Sequence, residues 1–251
     1  MSVESEDLLE SLAMVVDRAL YRHPAEMYPP SDERQTRPFD YSRMARILAA
    51  VDAARFLEEH FASAKNLVGR QNLLRHACRC VDMDGDVLEF GVAGGQTLAI
   101  LCDQFEDRVV HGFDSFEGLP EDWTHDRPTG MFGTGGELPA DLPANATLHV
   151  GMFEDTLPKY LAGTDAPVAL LHVDADLYSS ARTVLTGLAP RLRAGSIIVF
   201  DEFLNYPGWR QHEYRAFTEF VEAFQVRFRY LSFASSYLSV AVRLESTPLV
   251  S

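Results

Sequence analysis

Two pairs of acids at the ends of apolar runs are the residues best placed to do chemistry in this 251-residue chain. The first pair closes the run Val168-Ala169-Leu170-Leu171-His172-Val173 as Asp174-Ala175-Asp176, and the second follows Ser196-Ile197-Ile198-Val199-Phe200 as Asp201-Glu202. In extended backbone Asp174 and Asp176 point to the same face. Carboxylates gathered in a cleft repel one another unless a cation or a shared proton intervenes. Four of them on neighbouring strand ends suit Mg²⁺ or a similar hard cation. The plainer alternative is that they cap helices or meet basic residues such as Arg210.

A ligand for such a cleft is announced earlier, by Asp86-Val87-Leu88-Glu89-Phe90-Gly91-Val92-Ala93-Gly94-Gly95-Gln96-Thr97. It reads as a short apolar strand, an acid, a glycine-rich turn and a helix start. Gly91, Gly94 and Gly95 permit a tight turn and a close approach of ligand to backbone. A dinucleotide fingerprint requires G-x-G-x-x-G, and its second glycine would fall on Ala93. Glu89 would repel a pyrophosphate but suits a ligand carrying an ammonium group, as S-adenosylmethionine (SAM) does. The acid-x-Gly-x-x-Gly pattern resembles the first motif of class I SAM-dependent methyltransferases. An ordinary turn in another α/β protein is the alternative.

These residues need a sheet with helices between its strands. A second strand, Arg108 to Phe113, ends at Asp114, which follows the glycine turn at roughly the 20-residue spacing of an acid that holds ribose hydroxyls. Ser115 could share that ribose. A long irregular segment runs from Phe116 to about Asn145, and Trp123, His125 and Phe132 make it a candidate substrate lid. The third strand, Ala146 to Val150, is followed by Met152 and Phe153, placed to pack against an adenine. Strands four and five carry the acids. A helix to about Phe224 and two closing strands, Val226–Tyr230 and Tyr237–Leu244, complete the order. The expectation is a Rossmann-like α/β fold with a seven-stranded, mostly parallel sheet and a C-terminal antiparallel hairpin. Before it, apolar periodicity predicts helices over 7–23 and 42–61, separated by a proline-rich loop over 28–40. Residues 1–80 therefore read as an N-terminal helical extension, packing surface or substrate cover, and 81–251 as the SAM-binding core.

Composition removes several classes. A formal net charge of −15 argues against nucleic acid and against an anionic membrane surface. No apolar run approaches the roughly 20 residues of a membrane span. The acidic start, Met1 to Asp7, does not read as a secretory signal. Cys78, Cys80 and Cys102 show neither paired nor metal-ligand spacing, so reduced thiols in a cytoplasmic protein are expected. A homo-oligomer is left open.

The segments Glu89–Gly95, Gly112-Phe113-Asp114-Ser115-Phe116-Glu117-Gly118-Leu119-Pro120, Val173–Tyr178 and Tyr206-Pro207-Gly208-Trp209-Arg210-Gln211 together resemble the macrocin O-methyltransferase family, which methylates sugar hydroxyls on macrolides and related antibiotics. The resemblance spans about half the chain. It implies Mg²⁺ held by Asp174, Asp201 and Glu202, with Asp176 as general base and Asp174 or His125 next in line. It departs at Glu202, where an Asp is common. The cofactor site expected is shaped by Glu89, Phe90, Gly91 and Gly94, with Asp114 and Ser115 at the ribose and Met152 and Phe153 at the adenine. The acceptor expected is a deoxysugar hydroxyl, on a nucleotide or already attached to a natural product. A phenolic or catechol acceptor is the runner-up. An NAD(P)-linked oxidoreductase and a non-catalytic SAM-fold interaction protein are the competing classes.

Overall fold

The computed structural model describes residues 41–124 and 127–250. The expected helix over 7–23, the loop over 28–40 and His125 lie outside the described residues. The chain enters through helix α1 (Tyr41–His60), strand β1 (Lys65–Leu67) and helix α2 (Arg70–Arg79). Alternation then sets in with β2 (Asp86–Phe90), α3 (Gln96–Gln104), β3 (Val110–Asp114), β4 (Ala146–Val150), α4 (Phe153–Gly163), β5 (Val168–Val173), α5 (Tyr178–Leu188) and β6 (Ile197–Phe200). A 3₁₀ turn (Trp209–Gln211), α6 (Glu213–Ala223), β7 (Phe228–Ala234) and β8 (Val240–Leu244) close it.

All the strands join one sheet in the order β1-β7-β8-β6-β5-β2-β3-β4. The sheet is parallel except where β8 runs antiparallel to β6 and β7, so the closing hairpin is present. The sheet has eight strands rather than the seven expected. The addition is β1, which pairs in parallel with the β7 edge from Lys65↔Ser232 to Leu67↔Ala234. Three residues, two of them polar, carry no periodicity; only the open edge of β7 makes them a strand.

The central strands are apolar because both faces of the sheet are covered. Every residue of β5 and β6 is buried, and every residue of β2 after Asp86. On one face α2 and α3 contribute Leu73, Leu74, Leu98 and Leu101. On the other, α1, α4, α5 and α6 contribute Phe56, Leu157, Leu185 and Phe217. From β2 the chain builds outward to β3 and β4, then crosses back to β5 on the other side of β2. That reversal opens a crevice beyond the carboxyl ends of β2 and β5, where sheets of this kind bind ligands.

Candidate active site

The ladder continues one residue past the strand ends and delivers the acids to the crevice. The Asp174 N–H donates to the Phe90 carbonyl at 2.8 Å, and the Asp201 N–H to the Val173 carbonyl at 2.9 Å. Beyond Asp174 the backbone bends sharply. The Leu177 N–H reaches back to the Ala175 carbonyl at 2.5 Å, which makes Asp176 the centre of a three-residue turn with φ at 56°. A non-glycine residue held there is strained by about 1–3 kcal/mol, and such strain collects at functional sites.

Asp174, Asp176 and Glu202 each offer a carboxylate oxygen within 4.8 Å of the other two. Burial, with the charge of Asp201 second, pushes Asp174 up to about 8. Burial pushes Asp176 up to about 7, against a lowering pull from the Arg127 guanidinium. Glu202 is raised as well, by burial and then by Asp174. Its Oε2 is buried without a hydrogen-bond partner. Three carboxyls that resist ionising together, one with an orphaned oxygen, form a donor set that a hard cation fits.

Asp201 is placed differently from its neighbour Glu202. Arg70 Nη1 donates to its Oδ2 at 2.6 Å, and the Ser239 hydroxyl donates to its Oδ1 at 2.9 Å. The same guanidinium nitrogen lies 3.8 Å from Asp174. Burial alone would lower the Arg70 pKa, but the Asp201 charge and hydrogen bond outweigh it and hold Arg70 above its usual value. Nothing in the sequence singled out Arg70; it comes to the site through β1 and the start of α2.

The crevice opens into a cavity of about 700 Å³, within the usual size of a small-molecule site. One wall carries Gly91, Asp114, Ser115, Met152 and Phe153. Gly91 has φ at 95°, and a Cβ there would sit 1.8 Å from the Asp174 carbonyl oxygen, so only glycine lets β2 and β5 meet so closely. Asp114 Oδ2 accepts the Val92 and Ala93 N–H groups at 2.8 Å each, and Oδ1 accepts that of Phe116 at 2.7 Å. Three of about four acceptor positions of a carboxylate are thereby used, leaving one for a ligand hydroxyl. The residues on this wall suit an adenosine-bearing cofactor.

Three of the expected cofactor residues do not line the cavity. Phe90 is buried and stacks on Phe113 with ring centroids 4.3 Å apart. Gly94 is exposed on the turn. Glu89 is buried under the floor, where its Oε1 meets His172 Nδ1 at 2.8 Å across the β2–β5 register. Burial lowers the His172 pKa, but the hydrogen bond and charge of Glu89 override this and leave it raised. A lone histidine in an apolar strand and a lone glutamate in its neighbour were the available sign of this pair.

The cavity is also lined by residues of the Phe116–Gly136 loop and of the first turns of α5. The loop folds on itself: the Leu119 N–H donates to the Met131 carbonyl at 2.9 Å and the Gly130 N–H to the Leu119 carbonyl at 2.8 Å. Trp123 is buried edge-on against Tyr206, and Arg127 lies over its indole at 4.3 Å. Arg127, Phe132, Ser179, Ser180 and Thr183 face the cavity. The Ser179 hydroxyl donates to Glu121 Oε1 at 2.6 Å and ties loop to helix.

Residues 88–203 match the family described as a methyltransferase domain. The chain is 28% identical to the mycinamicin III 3''-O-methyltransferase of Micromonospora griseorubida, covering 76% of this chain and 88% of that protein. It is 31% identical to the 8-demethyl-8-(2,3-dimethoxy-alpha-L-rhamnosyl)-tetracenomycin-C 4'-O-methyltransferase of Streptomyces olivaceus, covering 56% of this chain and 63% of that protein. In fold it resembles the crystal structure of a calicheamicin methyltransferase, with a TM-score of 0.57 at 21% identity over 86% of this chain and 99% of that one. These similarities agree with the resemblance to the macrocin O-methyltransferase family. With the glycine turn, the acid Asp114 at the end of β3 and the strand order all in place, the chain carries a methyltransferase domain over residues 88–203 and is similar to SAM-dependent methyltransferases in sequence and fold.

Proposed function

We propose that this methyltransferase methylates a sugar hydroxyl on a glycosylated small molecule, with a hard divalent cation at the strand-end carboxylates. The observation that carries the proposal is the set Asp174, Asp176 and Glu202, gathered in the cavity lining beside the cofactor residues. The relatives named for sugar O-methylation support the acceptor class. The cavity lining also presents serine and threonine hydroxyls together with Trp123 and Phe132, chemistry that suits a polyhydroxylated ring.

When bound, SAM supplies a methyl group on a sulfonium. A divalent cation would lower the pKa of a coordinated hydroxyl and fix its direction. Asp174 and Glu202 are its proposed ligands together with Asp201, whose oxygens keep lone pairs beyond the bonds to Arg70 and Ser239. Asp176 is the proposed general base: a carboxyl titrating near 7 is matched to removing a hydroxyl proton at neutral pH. A second reading is favoured by the geometry itself, in which Asp176 rather than Asp201 completes the cation set. Mn²⁺ titration of the two asparagine variants separates the readings. Under the first, Asp201→Asn loses Mn²⁺ affinity, whereas Asp176→Asn keeps it and lowers kcat by roughly 10²–10⁴-fold. The reverse pattern of affinities assigns Asp176 to the cation.

Among the acids on the cavity wall are Asp114, Glu121, Glu154 and the three of the cluster, against Arg70, already paired, and Arg127. This supports an uncharged glycoside over a nucleotide diphosphate sugar. Arg70 on the wall supports residues 1–80 as part of the acceptor side. Mass-spectrometric product analysis with SAM, Mg²⁺ and three acceptor types tests the substrate class. Methylation of a neutral glycoside is expected. Turnover of the nucleotide sugar alone moves the reaction before glycosyl transfer, and turnover of a catechol alone ends the sugar reading.

A further inference from the structure

The carboxylate floor rests on one residue that neither lines the cavity nor carries a recognised motif. Glu213, in the first turn of α6, is fully buried. Its Oε1 accepts the Ala175 N–H at 3.1 Å, and its Oε2 accepts the Glu202 N–H at 3.2 Å. One carboxylate thus spans the ends of β5 and β6, between the loop that carries Asp174 and Asp176 and the loop that carries Glu202.

The two bonds fall where the backbone most needs them. Ala175 is the residue whose carbonyl closes the strained turn around Asp176, and its N–H is oriented by that turn. Buried N–H groups left without an acceptor cost free energy comparable to a lost hydrogen bond. An acidic residue in the first turn of a helix is ordinarily explained by the helix dipole. Glu213 does something further, because both its oxygens are engaged by backbone outside its own helix, in the loops that follow two different strands. Removing the carboxylate would free the Asp176 turn to relax and let Glu202 drift from Asp174.

We propose that Glu213 is a positioning residue, which clamps the β5 and β6 ends so that Asp174, Asp176 and Glu202 converge on one point. The proposal rests on the reading of those three as the reacting and cation-holding groups. Gln at position 213 keeps the volume but offers one acceptor where two are needed, and its NH₂ opposes an N–H. Asp keeps two oxygens on an arm too short to reach both donors.

The test compares the parent with E213Q and E213D in four measurements: thermal midpoint, calorimetric affinity for SAM, Mn²⁺ affinity of the cofactor-free protein, and kcat and KM separately. Amide hydrogen exchange at Ala175 and Glu202 reads the clamp directly. In E213Q we expect unchanged SAM affinity, faster exchange at one or both amides, Mn²⁺ affinity down by about 10–100-fold, and kcat down by about 10²-fold, the effect of displacing a reacting group by about 1 Å. E213D should fall between parent and E213Q, and it carries the same readouts if E213Q does not fold. A lower midpoint with parental Mn²⁺ affinity, kcat and exchange would make Glu213 a helix-stabilising residue only and overturn the proposal. If the parent itself binds no Mn²⁺, the cation reading fails separately, and exchange with kcat still decides the clamp.

Discussion

Single atoms set the geometry of this site. The absence of a Cβ at Gly91 lets β2 approach Asp174, and the left-handed backbone of Asp176 turns its carboxyl out of the strand direction. Gly91→Ala should therefore fail on two counts, a positive φ and a collision with backbone, and destabilise by more than the roughly 1 kcal/mol of a compatible glycine substitution. Chemical denaturation with and without SAM checks this. A variant with the parent's midpoint and SAM affinity would mean that the strands can separate without loss. The Glu89–His172 pair is a different case, since neither group reaches the cavity. Cutting one partner leaves the other buried and uncompensated, an outcome typically more damaging than replacing both with apolar residues.

At the scale of elements, the Phe116–Gly136 loop and the sheet edge behave differently. The Phe116–Gly136 loop is held by its own backbone bonds and by the Ser179–Glu121 bond to α5. Its tightest point is Gly118, with φ at 88°, where a Cβ would lie 2.4 Å from the Gly130 carbonyl oxygen. Gly118→Ala should open the loop while the cofactor wall stays intact. The expected outcome is a KM for the acceptor raised several-fold, an unchanged SAM affinity and faster proteolysis between residues 117 and 136. Parental KM together with parental proteolysis would show that the loop is not part of the acceptor wall. Strand β1 is largely exposed and short, and it matters chiefly because it ends just before Arg70.

For the whole molecule, buried titratable groups shape the dependence of stability on pH. Asp174 and Asp176 hold protons more tightly in the folded chain, with values near 8 and 7 against an ordinary 3.8. The folded state therefore carries more protons than the unfolded one between those limits, and stability falls as pH rises through that window. His111 and His149 face each other at 3.1 Å and are depressed by burial, in both cases below the ordinary 6.5. Their stabilising effect is complete above 6.5 and is lost as pH falls through their folded values. Without a divalent cation the two effects therefore oppose each other on the acidic limb, below 6.5, and the thermal midpoint should fall with rising pH on the alkaline limb, above it. Mg²⁺ should lift the alkaline limb and leave the acidic one alone, and Asp174→Asn should flatten the alkaline limb without metal. Scanning calorimetry across pH, in EDTA and in Mg²⁺, measures this; an alkaline limb indifferent to both changes would remove the carboxylates as its cause. None of the described helices is long and apolar enough to cross a membrane.

Local pattern alone was enough for the class of fold, the glycine turn, the acid at the end of β3 and the two acidic strand ends, because each is written in contiguous residues: a strand period, a glycine run, an acid where an apolar run stops. The β1 strand was illegible, since three residues acquire their conformation from the edge they pair with. Partner choice was illegible for the same reason. Asp201 and Glu202 are neighbours in the chain, yet one meets Arg70 and Ser239 while the other turns to Asp174 and Asp176. Glu89 read as a cofactor residue because a strand-end acid usually faces the ligand; a histidine in the adjacent strand, brought level by register, holds it beneath the floor instead. Glu213 carried no signal at all, because its two hydrogen bonds run to backbone far from it in sequence. Sequence determines which groups are available to do chemistry; only the packing of strand ends determines which of them share one point in space, because charge, burial and hydrogen-bond partners at that point come from segments far apart in the chain.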